Sequence, residues 1–89
     1  MDIQFAGIKL DPDQKEMIEK LAEKCCKDKN IELFHAQVKA HQKAGNRYSY
    51  TTQLRVEAPS LLATASSEGW EFKDTVHEAF AKLSKELKH

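Results

Sequence analysis

Glu68-Gly69-Trp70-Glu71-Phe72-Lys73-Asp74-Thr75-Val76-His77-Glu78-Ala79-Phe80-Ala81-Lys82-Leu83-Ser84-Lys85-Glu86-Leu87-Lys88 decides how this chain folds. Phe72, Val76, Phe80, Leu83 and Leu87 recur at steps of four, four, three and four, the period of one apolar stripe on an α-helix. Lys73, His77, Lys82, Lys85 and Lys88 fall on the opposite face. A helix with a single stripe must lay it on another element, and the preceding residues supply a sheet. Leu61 to Ser67 reads as a strand, with Ser66-Ser67-Glu68 in capping or turn roles and Trp70 leading into the helix.

Further upstream the period changes to two. Phe34, Ala36, Val38 and Ala40 alternate with His35, Gln37, Lys39 and His41. After the loop Lys43-Ala44-Gly45-Asn46-Arg47, Tyr48, Tyr50, Thr52, Leu54 and Val56 alternate with Ser49, Thr51, Gln53, Arg55 and Glu57. Two such runs joined by a short Gly-containing loop read as an antiparallel hairpin, which Pro59 ends. Ile3-Gln4-Phe5-Ala6 is a further short strand, and Gly7 to Leu10 a connector. Asp11-Pro12-Asp13-Gln14 starts a helix: a capping carboxylate, a proline at the first helical position and a capping-box glutamine. Met17, Ile18, Leu21, Ala22 and Cys25 form its stripe, and Asn30 is the expected left-handed cap. The expected fold is α+β in the order β-α-β-β-β-α, over residues 1–89 as one domain. A mainly antiparallel four-stranded sheet carries both helices on one face. The same core order occurs in double-stranded-RNA-binding domains.

Eighty-nine residues suffice for one domain with little stability in reserve. A 40% share of periodic hydrophobic residues beside 31% charged ones argues for a folded chain rather than a disordered one. Fourteen Lys and Arg balance fourteen Asp and Glu, which excludes nucleic-acid binding by bulk charge but not by a local basic surface. Residues 30–60 hold Lys39, Lys43, Arg47 and Arg55 against Glu32 and Glu57, a net charge of plus two. Cys25 and Cys26 are adjacent on a predicted helix, where a mutual disulfide is strained, so reduced thiols in the cytoplasm are expected. No secretory signal or membrane-length apolar run is read, since Lys9 and Asp11 break the apolar opening.

Cys25, Cys26, His35 and His41 match no zinc spacing, so neither metal nor cofactor is expected. A half-buried Cys25 beside an exposed Cys26 is the expected arrangement. No glycine-rich phosphate loop or nucleophile elbow is present, and His77 reads as a solvated surface residue, so catalysis is not expected. Lys82, Lys85 and Lys88 follow one another by a turn, as do Lys20, Lys24 and Lys27. Either run can be a phosphate-binding ridge. Each also has a simpler account: dipole complementarity in the last helix, and pairing with Glu16, Glu19 and Glu23 in the first. The outward sheet face, with His35, Gln37, Lys39, His41, Ser49, Thr51, Gln53 and Arg55, suits RNA backbone contacts. It lacks exposed aromatic pairs for base stacking, since Tyr48 and Tyr50 fall in phase with the core.

The whole chain resembles the short-form ribosome hibernation promoting factors, a family that includes the ribosome-associated inhibitor. Met1-Asp2-Ile3-Gln4-Phe5-Ala6-Gly7 is similar to the family's opening strand and glycine, and Leu10-Asp11-Pro12-Asp13 to its first helix entry. Glu68-Gly69, Glu71-Phe72, Val76, Lys82-Leu83 and Leu87-Lys88 follow its closing pattern. Lys73, His77 and Glu86 depart from it, standing where tyrosine, aspartate and glutamine are usual. The resemblance implies a non-enzymatic translation silencer that occupies the decoding channel of the small ribosomal subunit and contacts its RNA through basic side chains. The candidate contacts are Lys20, Lys24, Lys27, Lys39, Arg47, Arg55, Lys82, Lys85 and Lys88. It further implies the small subunit as partner, no membrane, no small-molecule substrate, and a monomer or weak homodimer away from the ribosome. The alternative is a protein-interaction module that kept the fold and lost the RNA surface, which the zero net charge suits.

Overall fold

A computed structural model describes residues 3–27 and 29–87. The elements are β1 (Ile3–Gly7), α1 (Pro12–Cys25), β2 (Leu33–Lys43), β3 (Arg47–Ala58), β4 (Leu61–Gly69) and α2 (Phe72–Leu87). They give the α+β order read from the sequence. The sheet runs β1-β2-β3-β4, with β1 parallel to β2 and the other two pairs antiparallel. A parallel neighbour requires a crossover, and α1 is that crossover.

Local chemistry sets the start of α1. Asp11 accepts from the Gln14 amide at 2.7 Å, and the Gln14 side chain accepts from the Asp11 amide at 3.0 Å. This reciprocal box satisfies two amides that the first turn leaves free. The helix ends at Cys25 with Cys26 as its C-cap, and the Cys26 amide bonds to the Ala22 carbonyl at 2.9 Å. Among the described residues Asn46 is the one non-glycine with positive φ, so Asn30 is not the left-handed cap the sequence suggested.

Both helices cover one face. Ile18, Ala22, Phe34, Ala36, Val38, Leu54, Val56, Val76, Ala79 and Leu83 are all nearly inaccessible, and Phe34 stacks on Phe80 at 5.8 Å. The thiol order is the reverse of that expected. Cys26 is buried and Cys25 half-buried, because Cys26 continues the inward line of Ile18 and Ala22 at steps of four.

The alternation in β2 and β3 holds only where a helix lies above it. Ala40 and Tyr48 are exposed, Tyr48 by 50%, although both are in phase with the core. The reason is length. β1 reaches only to Val38, which leaves Lys39 and Ala40 at the sheet edge, and β4 reaches only to Tyr50, so His41–Lys43 and Arg47–Ser49 form a two-stranded arm. Gly45 and Asn46 turn its tip with φ of 76° and 59°. Ser66 and Ser67 are strand residues rather than caps, because β4 continues to Gly69.

Thr52 and Ser67 face each other across β3 and β4 inside the core, and neither hydroxyl has a hydrogen-bond partner among the described residues. Leaving such groups unmet costs about 1–3 kcal/mol each. Thr52→Val, which keeps the shape, is expected to raise stability by about 1 kcal/mol in urea titration; a loss of stability would mean that the hydroxyl is satisfied in solution.

Candidate nucleic-acid interface

The strand register arranges the open sheet face in rows. Gln4, His35, Arg55 and Thr64 form one, and Ala6, Gln37, Gln53 and Ser66 the next. Lys39, Thr51 and Glu68 follow, then His41 with Ser49, then Lys43 with Arg47 at the arm's tip. The first two rows line a shallow depression of about 500 Å³ walled by His35, Gln37, Gln53, Arg55, Thr64 and Ser66. Four cations stand on this face (Lys39, Lys43, Arg47, Arg55) against Glu57 and Glu68. The surplus is positive and concentrated toward the arm.

The helical surface is different. On α1, Lys15, Lys20 and Lys24 are interleaved with exposed Asp13, Glu16, Glu19 and Glu23. On α2, Lys73, Lys82 and Lys85 are matched by Asp74, Glu78 and Glu86. Lys20 pairs with Glu16 at 3.1 Å, and Lys82 with Glu78 at 3.5 Å while also bonding the Ser66 carbonyl at 3.2 Å. Such exposed pairs add little stability, but they cancel charge locally.

The nine candidate residues therefore do not converge. Lys39, Arg47 and Arg55 lie on the open sheet face, whereas Lys20, Lys24, Lys27, Lys82 and Lys85 are exposed on the helical side. Lys88 lies outside the described residues. Arg55 is tied to Glu57 at 2.8 Å. Among the described residues, no carboxylate comes within ion-pair distance of Lys24, Lys27, Lys39, Arg47 or Lys85.

Three features of this surface escape sequence reasoning. Arg47 sits 4.3 Å over the ring of Trp70, which remains 52% exposed at the end of β4. Ser49, expected on the open surface, is instead buried at the base of the arm, and its hydroxyl has no partner among the described residues. No local spacing signals either, because the partners come from different strands. The third is the pair of thiols. Cys25 Sγ lies 3.4 Å from Ser84 Oγ, in a cleft between the helices shared with Lys24 and His77. The neighbouring Cys26 thiol pulls the Cys25 pKa from 9.0 down to about 6, aided by Ser84 and Lys29 and opposed by burial. The same contact and burial push Cys26 up.

Cys25 is thus mostly thiolate at neutral pH, and the thiolate is the nucleophile. Iodoacetamide is expected to label Cys25 alone in the folded protein, with a rate that rises through pH 6 and levels off above it. Peptide mass mapping across pH checks this, and equal labelling of both cysteines would contradict it. Among the described residues no group of three or more His, Cys, Asp or Glu side chains is arranged to hold a metal ion. No described helix is long and apolar enough to cross a membrane.

No protein-family model matches the sequence, and no curated protein does either. Solved structures do share the fold. A ribosomal subunit interface protein from Coxiella burnetii superposes with a TM-score of 0.85 at 23% identity, over 99% of this chain and 94% of that one. The N-terminal domain of Protein Y from Thermus thermophilus superposes with a TM-score of 0.69 at 19% identity, over 99% and 97%. At these identities the likeness establishes the architecture.

Proposed function

We propose that this protein is a ribosome-associated silencing factor. It docks on ribosomal RNA of the small subunit, in the decoding channel, and blocks the path of messenger and transfer RNA. The observation that carries this reading is the end-to-end superposition on a ribosomal subunit interface protein with a TM-score of 0.85. The resemblance of the opening strand, the first helix entry and the closing helix to the hibernation factors supports the same reading.

The action is steric and needs no catalysis. A rigid wedge occupies a site, and its cations displace counterions from RNA phosphates. The open sheet face is the docking side, because among the described residues its Lys39 and Arg47 have no carboxylate within ion-pair distance, while Arg55 beside them is shared with Glu57. The helix lysines Lys20, Lys24, Lys27, Lys82 and Lys85 act as a secondary rim, with Lys88 beyond them. The setting is the cytoplasm, and the protein is a monomer or weak dimer when free.

Sedimentation with purified ribosomal subunits across a salt series tests this. The protein is expected in the small-subunit pellet, with affinity falling about a hundredfold between 50 and 200 mM salt for four phosphate contacts. Absence from the pellet at the lowest salt would instead support a protein-interaction module, a reading favoured by the charge-matched helical surface.

A further inference from the structure

At the base of the arm lies a cavity of about 430 Å³, lined by Lys43, Ser49, Glu68, Gly69 and Trp70. It falls within the range of small-ligand pockets, about 300–1,000 Å³. Its walls carry complementary chemistry. Trp70 offers an aromatic ring that is 52% exposed, and the Arg47 guanidinium 4.3 Å over that ring fixes its orientation without lining the cavity. Glu68 offers a carboxylate and Lys43 an ammonium group, and among the described residues neither is in an ion pair. Ser49 is only 3% exposed, and its hydroxyl has no partner among the described residues. A buried hydroxyl without a partner is costly, so a ligand atom that bonds it recovers that cost.

The geometry points to this cavity as a site for one unpaired guanine of an RNA strand, its base against Trp70 and its Watson–Crick edge between Glu68 and Lys43. The assignment rests on the RNA-docking reading above and narrows it to a nucleotide. A flat ligand fits the exposed part of the indole, since a base can stack on an aromatic face. The carboxylate requires adjacent donors. Guanine presents N1–H and the N2 amino group side by side, matching the two oxygens of Glu68. Its O6 lies next to them and accepts from Lys43 or Ser49. Adenine and cytosine set a ring nitrogen acceptor beside their amino group, which repels a carboxylate. Uracil sets its one N–H between two carbonyls. Pairing would occupy the same edge, so the base must be unpaired. Lys39 shares a row with Glu68 on the open face, where a flanking phosphate of the strand is held.

Trp70 is the chain's only tryptophan, so its emission reports the site directly. The test titrates the whole protein with a uridine hexaribonucleotide, the same hexamer carrying one central guanosine, and free GMP. The guanosine hexamer is expected to quench the emission and to bind roughly tenfold tighter than the uridine hexamer. Glu68→Gln is expected to erase that preference while leaving uridine-hexamer binding in place. Trp70→Ala, followed with a labelled oligomer, is expected to weaken binding roughly tenfold. Equal affinity for both hexamers would overturn the assignment, and so would GMP binding as tightly as the guanosine hexamer. Unchanged emission in protein that still co-sediments with the small subunit would overturn this site and leave the ribosome reading standing. Hexamer quenching without co-sedimentation would support the site and remove the ribosome.

Discussion

Gly7→Ala is expected to lower the melting temperature by about 20 °C or more, the largest effect of any single substitution proposed. Gly7 has φ of 98°, in the left-handed region that side chains rarely adopt. A Cβ added there falls on the carbonyl oxygen of Val38, its partner in the parallel β1–β2 pair. The same oxygen accepts from the Ile8 amide at 2.8 Å, the bond that turns the chain off the sheet toward α1. Neither strand can withdraw without breaking that bond. The cost is about 4 kcal/mol or more, against a total stability of roughly 5–10 kcal/mol for a chain of this length. Far-UV circular dichroism melts measure it. Gly45→Ala is the control: φ is also positive, at 76°, but no atom lies within 4 Å of the added carbon. It is expected to cost about 1 kcal/mol. A Gly7→Ala melt within a few degrees of the parent would show that β1 is not held as described.

The second large effect concerns docking. Reversing Lys39, Arg47 and Arg55 together to Glu is expected to remove the protein from the small-subunit pellet at all salt concentrations. Neutralising the same three to Gln is expected to lower the salt slope by about two to three units, one each for Lys39 and Arg47 and less for Arg55, which shares its charge with Glu57. Reversal of Lys82 and Lys85 is expected to act more weakly, because Lys82 already spends its charge on Glu78 and on the Ser66 carbonyl. The two sets point away from opposite sides of the sheet, so the comparison separates the docking side from the rim. Stronger loss from the helix pair would mean that the wedge presents its helices to RNA.

Most of the architecture could be read from short-range chemistry. Asp11, Pro12 and Gln14 act within one helical turn, and the switch from a period of 3.6 to one of two at Phe34 needs only neighbouring residues. The misreadings come where a residue's fate depends on how far another element extends. Tyr48 is in phase with the core but lies beyond the helices, so water reaches it. Cys26 lies inward because the i−4 bond of its amide to Ala22 carries the helical line of Ile18 and Ala22 one step past the end of α1. Ser49 is covered at the arm's base, a burial that alternation along β3 cannot report. The candidate contacts were legible as residue types but not as a surface. Alternation assigns Lys39 and Arg55 to one face of a strand and periodicity assigns Lys82 to one face of a helix, and only the packing reveals that the two faces are opposed.

The parallel placement of β1 has a kinetic side. The β2–β3 and β3–β4 hairpins close through tight turns, so that meander assembles from neighbours. Residues 3–7 are synthesised before it but have no berth until β2 exists, and they must then reach it across the whole of α1. They are therefore expected to be the last strand to arrive. Once vacated, the β2 edge at Phe34, Ala36 and Val38 can take the same five residues from a second molecule, which competes with the tethered strand only at high protein concentration. Concentrated refolding therefore has a built-in route to strand-exchanged dimers.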